Sequence, residues 1–210
     1  MPTRFCIVRH GETDWNVEKR IQGQIDIPLN HTGKAQALAM ASNAGHHHFS
    51  AIYCSDLSRA SETAHAISEH LGLGVQTRAD LRERHYGIFQ GITAEQGATT
   101  HPAAYAHYIA RDLDFDFETG ESLTAFATRV TTCLNDLARH HDDQTIAVVS
   151  HAGFLDVLYR KATGRTLNAT RDFVIPNCAL NWFRLDNHGL HLDVWADRHH
   201  LGHVLTNTPE

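Results

Sequence analysis

Long apolar runs are missing from this 210-residue sequence. No stretch approaches the ~20 residues that a bilayer-spanning helix needs, and the start, MPTRFCIV, lacks the apolar core of a secretory leader. Positive charge is in deficit, with 18 Lys and Arg against 24 Asp and Glu for a net charge of −6. This balance argues against nucleic-acid and membrane partners, so any anion the chain binds must be held by a local cluster of cations. Cysteine is scarce: Cys6, Cys54, Cys133 and Cys178 are scattered without CxxC spacing. Such a set predicts no structural zinc and a reducing, cytoplasmic setting, with Cys6 and Cys54 buried as thiols inside apolar runs. Repeats and low-complexity linkers are absent as well, and the length suits one domain over 1–210.

Histidine is what the chain has in excess, with 18 copies, including HHH at 46–48, HH at 140–141 and RHHLGH at 198–203. Metal binding is the tempting reading. No HExxH or Asp-rich motif accompanies these clusters, however, and HHH falls where a helical pattern gives way to a loop, so solvated surface histidines are expected. The last stretch, LGHVLTNTPE, reads as a frayed tail without a functional signal.

Apolar runs bounded by turn signals stand at 4–8, 51–54, 145–149, 178–185 and 190–195. The first three are short, β-branched and do not alternate, as in strands buried on both faces. The last two alternate better and are joined by DNHG, which predicts a hairpin. Helical patterns fall at about 32–45, 58–71, 121–139 and 153–163. Strands alternating with helices predict an α/β domain with a largely parallel sheet and right-handed crossovers. The stretch 84–120, with its aromatics, Pro102 and the acidic run DLDFDFE, reads as an irregular, lid-like insertion.

The unusual polar residues sit at strand ends. Run 4–8 ends in Arg9 and His10; run 51–54 leads to Arg59 near a helix start; run 145–149 leads to His151 and Ala152. In open α/β sheets ligands collect beyond the carboxyl ends of the strands, so three crossovers bring these residues to one edge. Helix N-termini near Ser58 and Ala152 would add N–H groups and positive dipole ends. Two guanidiniums and two imidazoles form a cage for a compact dianion, and the fork of Arg matches phosphoryl oxygens. A histidine nucleophile must be neutral to attack, and neighbouring Arg charges disfavour its protonation. Fixed cations stabilise the charged transition state of phosphoryl transfer. The departing alkoxide still needs a proton, which a carboxylic acid kept protonated by burial and by the adjacent phosphate can supply. Within LRERHYGIFQG, Glu83 is one of several carboxylates able to do so.

These pieces together resemble the histidine phosphatase superfamily, the branch that includes cofactor-dependent phosphoglycerate mutases. The matching segments are RHGETDWN (9–16), RIQGQIDIPLNHTG (20–33), SDLSRASETA (55–64), LRERHYGIFQG (81–91), GESL (120–123) and SHAG (150–153), in the family's order. The resemblance implies a three-layer α/β/α sandwich around a mostly parallel sheet, and neither a metal nor an organic cofactor. It implies that His10 is the phosphorylated nucleophile, with Arg9, Arg59 and His151 clamping the phosphoryl group. Glu83 is then the proton donor and afterwards the base that activates water. Asn16 would contact phosphoryl oxygens, and Gln22 and Gly23 would line the mouth of the site. Plainer roles exist for each: Arg59 as a surface residue at a helix start, His151 as a core histidine, Asn16 as a local cap. Trp15 reads as packing and Glu12 as structural.

The expected activity is hydrolysis of a small-molecule phosphate monoester, with a phosphoglycerate mutase on the same phosphohistidine as the alternative. ERHYGIFQG is worded like a mutase. Against this, 85–120 carries one cation, Arg111, against Glu95, Asp112, Asp114, Asp116 and Glu118, and an acidic lid would repel a bisphosphorylated intermediate. A phospho-ligand binder without catalysis has no need of a nucleophile and an acid together. A metallophosphatase built on the extra histidines is the remotest reading. Sugar phosphates, phosphoglycerate-like acids, a nucleotide-loop intermediate and phosphoamino acids are all compatible with the sequence.

Overall fold

The computed structural model describes residues 2–204. The six strands are β1 (Thr3–Arg9), β2 (Ala51–Ser55), β3 (Val75–Arg78), β4 (Thr145–Ser150), β5 (Leu180–Asp186) and β6 (Gly189–Asp197). The seven α-helices are α1 (Asp14–Val17), α2 (His31–Ala44), α3 (Ser58–Leu71), α4 (Ala94–Thr100), α5 (Pro102–Ile109), α6 (Leu123–His140) and α7 (Ala152–Thr163). The strands form one sheet in the order β3-β2-β4-β1-β5-β6. β3, β2, β4 and β1 are parallel, and β5 turns back antiparallel to both β1 and β6.

The missing alternation in the first three strands has a direct cause. Phe5, Ile7, Ala51, Tyr53, Ile146 and Val148 point to one face, into a core closed by α6 and α7. Cys6, Val8, Ile52, Cys54, Ala147 and Val149 point to the other, into a core closed by α2 and α3. Helices thus cover both faces, giving the expected α/β/α sandwich. Burying each large apolar side chain contributes about 1.5–3 kcal/mol, which makes these strands the rigid part of the molecule. All four cysteines are free and buried, and burial pushes the Cys54, Cys133 and Cys178 thiols up to about 12.

Segment 84–120 is more ordered than its composition suggests. Thr93 and Gln96 form a capping box on α4, and Pro102 opens α5. Phe89, Ala104 and Phe117 make a small third core beneath them. β3 is a short edge strand whose pattern is mostly exposed, so it carries no apolar run to announce it. The histidine clusters go to separate tasks. His47 packs on Trp182 at 4.8 Å, His141 bonds Tyr53 at 2.8 Å, and His199 bonds Asp197 at 2.6 Å. Among the described residues no three or more His, Cys, Asp or Glu side chains are grouped to hold a metal ion, and no helix is long and apolar enough to cross a membrane. Leu201 packs into the second core, while 205–210 of the tail-like stretch lies outside the described residues.

Candidate active site

Parallel pairing sets the site. β1 and β4 run in register to Arg9 opposite Ser150, and the next residues, His10 and His151, leave the sheet side by side with ring centroids 5.2 Å apart. Three segments hold the backbone there through four hydrogen bonds. His10 N–H donates to Ser150 O (3.0 Å), Cys178 N–H to Arg9 O (2.9 Å), the Asn177 amide to His10 O (2.7 Å), and Gly11 N–H to Thr63 Oγ1 (3.0 Å). Gly11 has no room for a side chain, since a Cβ would lie 2.5 Å from Gly33 O.

His10 Nδ1 lies 2.7 Å from its neighbour's carbonyl, Gly11 O. An imidazole donating there must carry its proton on Nδ1, which leaves the Nε2 lone pair free to attack. Burial, followed by the charges of Arg59 and Arg9, holds His10 well below the ordinary imidazole value of 6.5. His151 is depressed likewise, by burial first and then by Arg59 and His10. Both rings are therefore neutral at physiological pH.

Arg59 lies at the start of α3, fully buried. Its Nη atoms donate to Ile25 O (2.9 Å) and Gly23 O (2.8 Å). Arg9 donates to Ile175 O at 2.7 Å. Burial pulls both guanidiniums down to about 10, against the opposing charge of Glu83, and both stay protonated at neutral pH. Of the eight buried side-chain polar atoms without a partner among the described residues, five belong to this group: Arg9 Nε, Arg59 Nε, both His151 nitrogens and Gln22 Oε1. A buried donor left unpaired costs about 1–3 kcal/mol, so such a concentration marks a place built for an anion.

Glu83 bridges two elements. Oε1 accepts from Arg84 N–H (2.8 Å) and Oε2 from Gly153 N–H (3.0 Å) in the first turn of α7. Its own carbonyl accepts from Gln24 and Arg129, each at 3.1 Å. Arg129 also clasps Glu121 at 2.7 Å, which explains the Glu of GESL: it holds the arginine that holds the Glu83 loop.

Not every expected contribution is realised. The N-terminus of α3 does not face outward for phosphate, because Asp26 accepts from Ser58 N–H (2.7 Å) and Ser58 Oγ (2.6 Å). Asn16 makes its contacts with Thr13: its Oδ1 accepts from Thr13 N–H (3.0 Å) in a capping box, which leaves Nδ2 without a partner among the described residues. Ala152 opens α7 with its N–H unengaged by protein. Gly23, at φ +52°, presents its carbonyl to Arg59. Four residues outside the sequence expectations belong to the site or its wall: Asn177, Thr63, Arg84 and Arg171. Asn177 and Arg171 follow β4 by more than 20 positions and carry no motif, so only the fold brings them in. Of the acidic residues of 85–120, Glu95, Asp114, Asp116 and Glu118 are exposed to solvent, while Asp112 lines the cavity that also meets Arg84, Arg111 and Gly153.

Comparison with known proteins agrees with this geometry. The family model described as "Histidine phosphatase superfamily (branch 1)" matches residues 5–198. "Phosphoglycerate mutase-like protein 4" of Arabidopsis thaliana is 39% identical over 201 residues, covering 94% of this chain and 86% of its own. "Metal-independent phosphoserine phosphatase" of the same plant is 36% identical over 205 residues, covering 96% and 84%. Among solved structures, phosphoserine phosphatase from Entamoeba histolytica in complex with 3-phosphoglyceric acid superposes with a TM-score of 0.84 at 27% identity, covering 95% of this chain and 99% of its own.

Proposed function

The chain belongs to branch 1 of the histidine phosphatase superfamily, and we propose that it hydrolyses a small phosphate monoester through a phosphohistidine on His10. The reading is supported above all by the cluster of unpaired buried donors on Arg9, Arg59 and His151 around a neutral His10. The chemistry follows from that arrangement. His10 Nε2 attacks phosphorus, the N–P bond forms and the ester P–O bond breaks, while Nδ1–H to Gly11 O shares the charge developing on the ring. The arginines and His151 hold the equatorial oxygens, joined by the Ala152 N–H and the Asn16 amide. The carboxyl of Glu83 passes its proton to the leaving oxygen. Its carboxylate then takes a proton from water, whose oxygen attacks phosphorus and releases His10. Gln22 and Gly23 border the group, Gly23 by fixing Arg59 and Gln22 through an amide that a half-turn would make a donor.

Segment 84–120 is read as a lid on a single domain, since α4 and α5 rest on their own small core beside the Glu83 loop. A cytoplasmic location fits four free, buried thiols. The test is phosphate release from a panel of monoesters that includes 3-phosphoglycerate, with formation of 2-phosphoglycerate followed in the same tubes, with and without 2,3-bisphosphoglycerate. Release without isomerisation is expected, with an acid-labile phosphoenzyme trapped on wild type but not on His10→Ala. Rapid isomerisation with little release would make the chain a mutase. A His10→Ala activity within about tenfold of wild type would overturn the phosphohistidine.

A further inference from the structure

A cavity of about 250 Å³ reaches Gly153, the residue that anchors Glu83, with Phe126, Arg84, Arg111, Asp156 and Arg171 also on its wall. Its charge is unbalanced. Asp156 lies one turn beyond Gly153 on α7 and is almost fully buried. Its Oδ2 takes Arg111 Nη2 (2.7 Å) and Arg160 Nε (2.9 Å), and its Oδ1 takes Arg171 Nε (3.0 Å). One carboxylate thus serves three guanidiniums. Arg84, which follows Glu83 in sequence, points Nε and Nη2 at the carbonyls of Glu121 (2.8 Å) and Phe115 (3.0 Å) and pairs with no carboxylate. The cavity's other acid, Asp112, is taken by His107 at 2.6 Å. Among the described residues, Arg84, Arg111 and Arg171 each keep an NH2 group without a protein partner. Arg84, Arg111 and Arg171 share one cavity wall, where Asp156 bonds two of them, and like charges so placed repel one another and attract a further anion.

We infer that this cavity receives a carboxylate on the leaving group, so that the substrate is the phosphate ester of a short hydroxy acid or hydroxy amino acid. This rests on the phosphatase reading above and names its substrate class. The position favours the leaving group, because the cavity begins at Gly153, whose N–H holds the acid that must protonate the departing oxygen. Size favours a short one, since the cavity is smaller than the ~300–1,000 Å³ typical for drug-sized ligands. The planar fork of arginine matches a carboxylate in two parallel bonds, and a neutral hydroxyl or an ammonium leaves the surplus charge unmet.

The discriminating measurement compares kcat/KM for 3-phosphoglycerate and phosphoserine with that for glycerol 3-phosphate and phosphoethanolamine, which lack the carboxylate. The carboxylated esters are expected to win by about tenfold to a hundredfold, the range of one lost charged hydrogen bond. Arg171→Met, at a half-exposed position that tolerates change, and Arg111→Met should each lower that ratio at least tenfold, with Arg171→Lys between. A ratio near one in the wild type, or a ratio unmoved in both Met variants, overturns the carboxylate site. Hydrolysis of p-nitrophenyl phosphate tests the underlying phosphatase separately. Calorimetry of His10→Ala with 3-phosphoglycerate and with glycerol 3-phosphate reads the same preference without turnover, and equal affinities would sink the proposal even if catalysis fails.

Discussion

In the proposed mechanism His10 and Glu83 divide the chemistry, and their surroundings differ in kind. His10 is buried among cations and bonded through Nδ1, which keeps Nε2 unprotonated. Glu83 is held by two backbone N–H groups from different elements, which orient its oxygens. If Glu83 protonates the leaving oxygen, Glu83→Gln should lower kcat/KM for alkyl esters by about 10²–10⁴. The loss on p-nitrophenyl phosphate should be much smaller, since its phenolate departs without a proton. Equal losses on the two substrates would move the acid role to another residue. Both residues are legible in the sequence, His10 by its place at a strand end and Glu83 only through the resemblance. Asn177, which bonds the His10 carbonyl, is not legible, because a lone Asn far along the chain has no spacing to betray it.

At the scale of elements, the N-terminus of α7 is where the site is assembled. His151 precedes the helix, Ala152 opens it, Gly153 meets Glu83, and Asp156 gathers the arginines of the cavity. A Cβ at Gly153 would sit 2.1 Å from Glu83 Oε1 and 3.1 Å from Phe126. Gly153→Ala should therefore displace the acid and cut turnover of alkyl esters at least tenfold. The same assay on purified variant, with circular dichroism to show an intact fold, checks it; wild-type turnover would mean that Glu83 is not the donor. The helices α2, α3, α6 and α7 and the five longest strands are readable from runs and periodicity. The edge strand β3 and the short α4 and α5 are not, since a strand with exposed faces lacks an apolar signature and two turns are too few for a helical period. The capping box Thr93–Gln96 and Pro102 were local cues to α4 and α5 within a stretch that reads as irregular.

For the whole molecule, the neutral buried histidines couple stability to pH. His10 and His151 titrate well below 6.5 when folded and near 6.5 when unfolded, so below that value the unfolded chain binds more protons. Stability is full above about pH 6.5 and should decline beneath it, by up to about 1.4 kcal/mol per pH unit for each ring. Urea denaturation between pH 5 and 8 measures the slope, and His151→Gln should flatten it. A slope unchanged by that substitution would show that folding does not lower the His151 pKa. Phosphate should oppose the loss, because an anion bound only by the folded cage stabilises it by mass action.

Local chemistry written along the chain was enough to settle the class of fold, the sheet's doubly covered strands, and the identity of Arg9, His10, Arg59 and His151 as one group. Each of these follows from neighbours in sequence: an apolar run, then a polar pair at its end. Three matters belonged to the tertiary structure alone. Asp26 closes the start of α3, Asn177 braces His10, and Arg111 and Arg171 converge on Asp156 beside Arg84 to line a basic cavity. Charge counted along a segment cannot tell which side chains turn outward, and contacts between residues tens of positions apart exist only once the chain has folded.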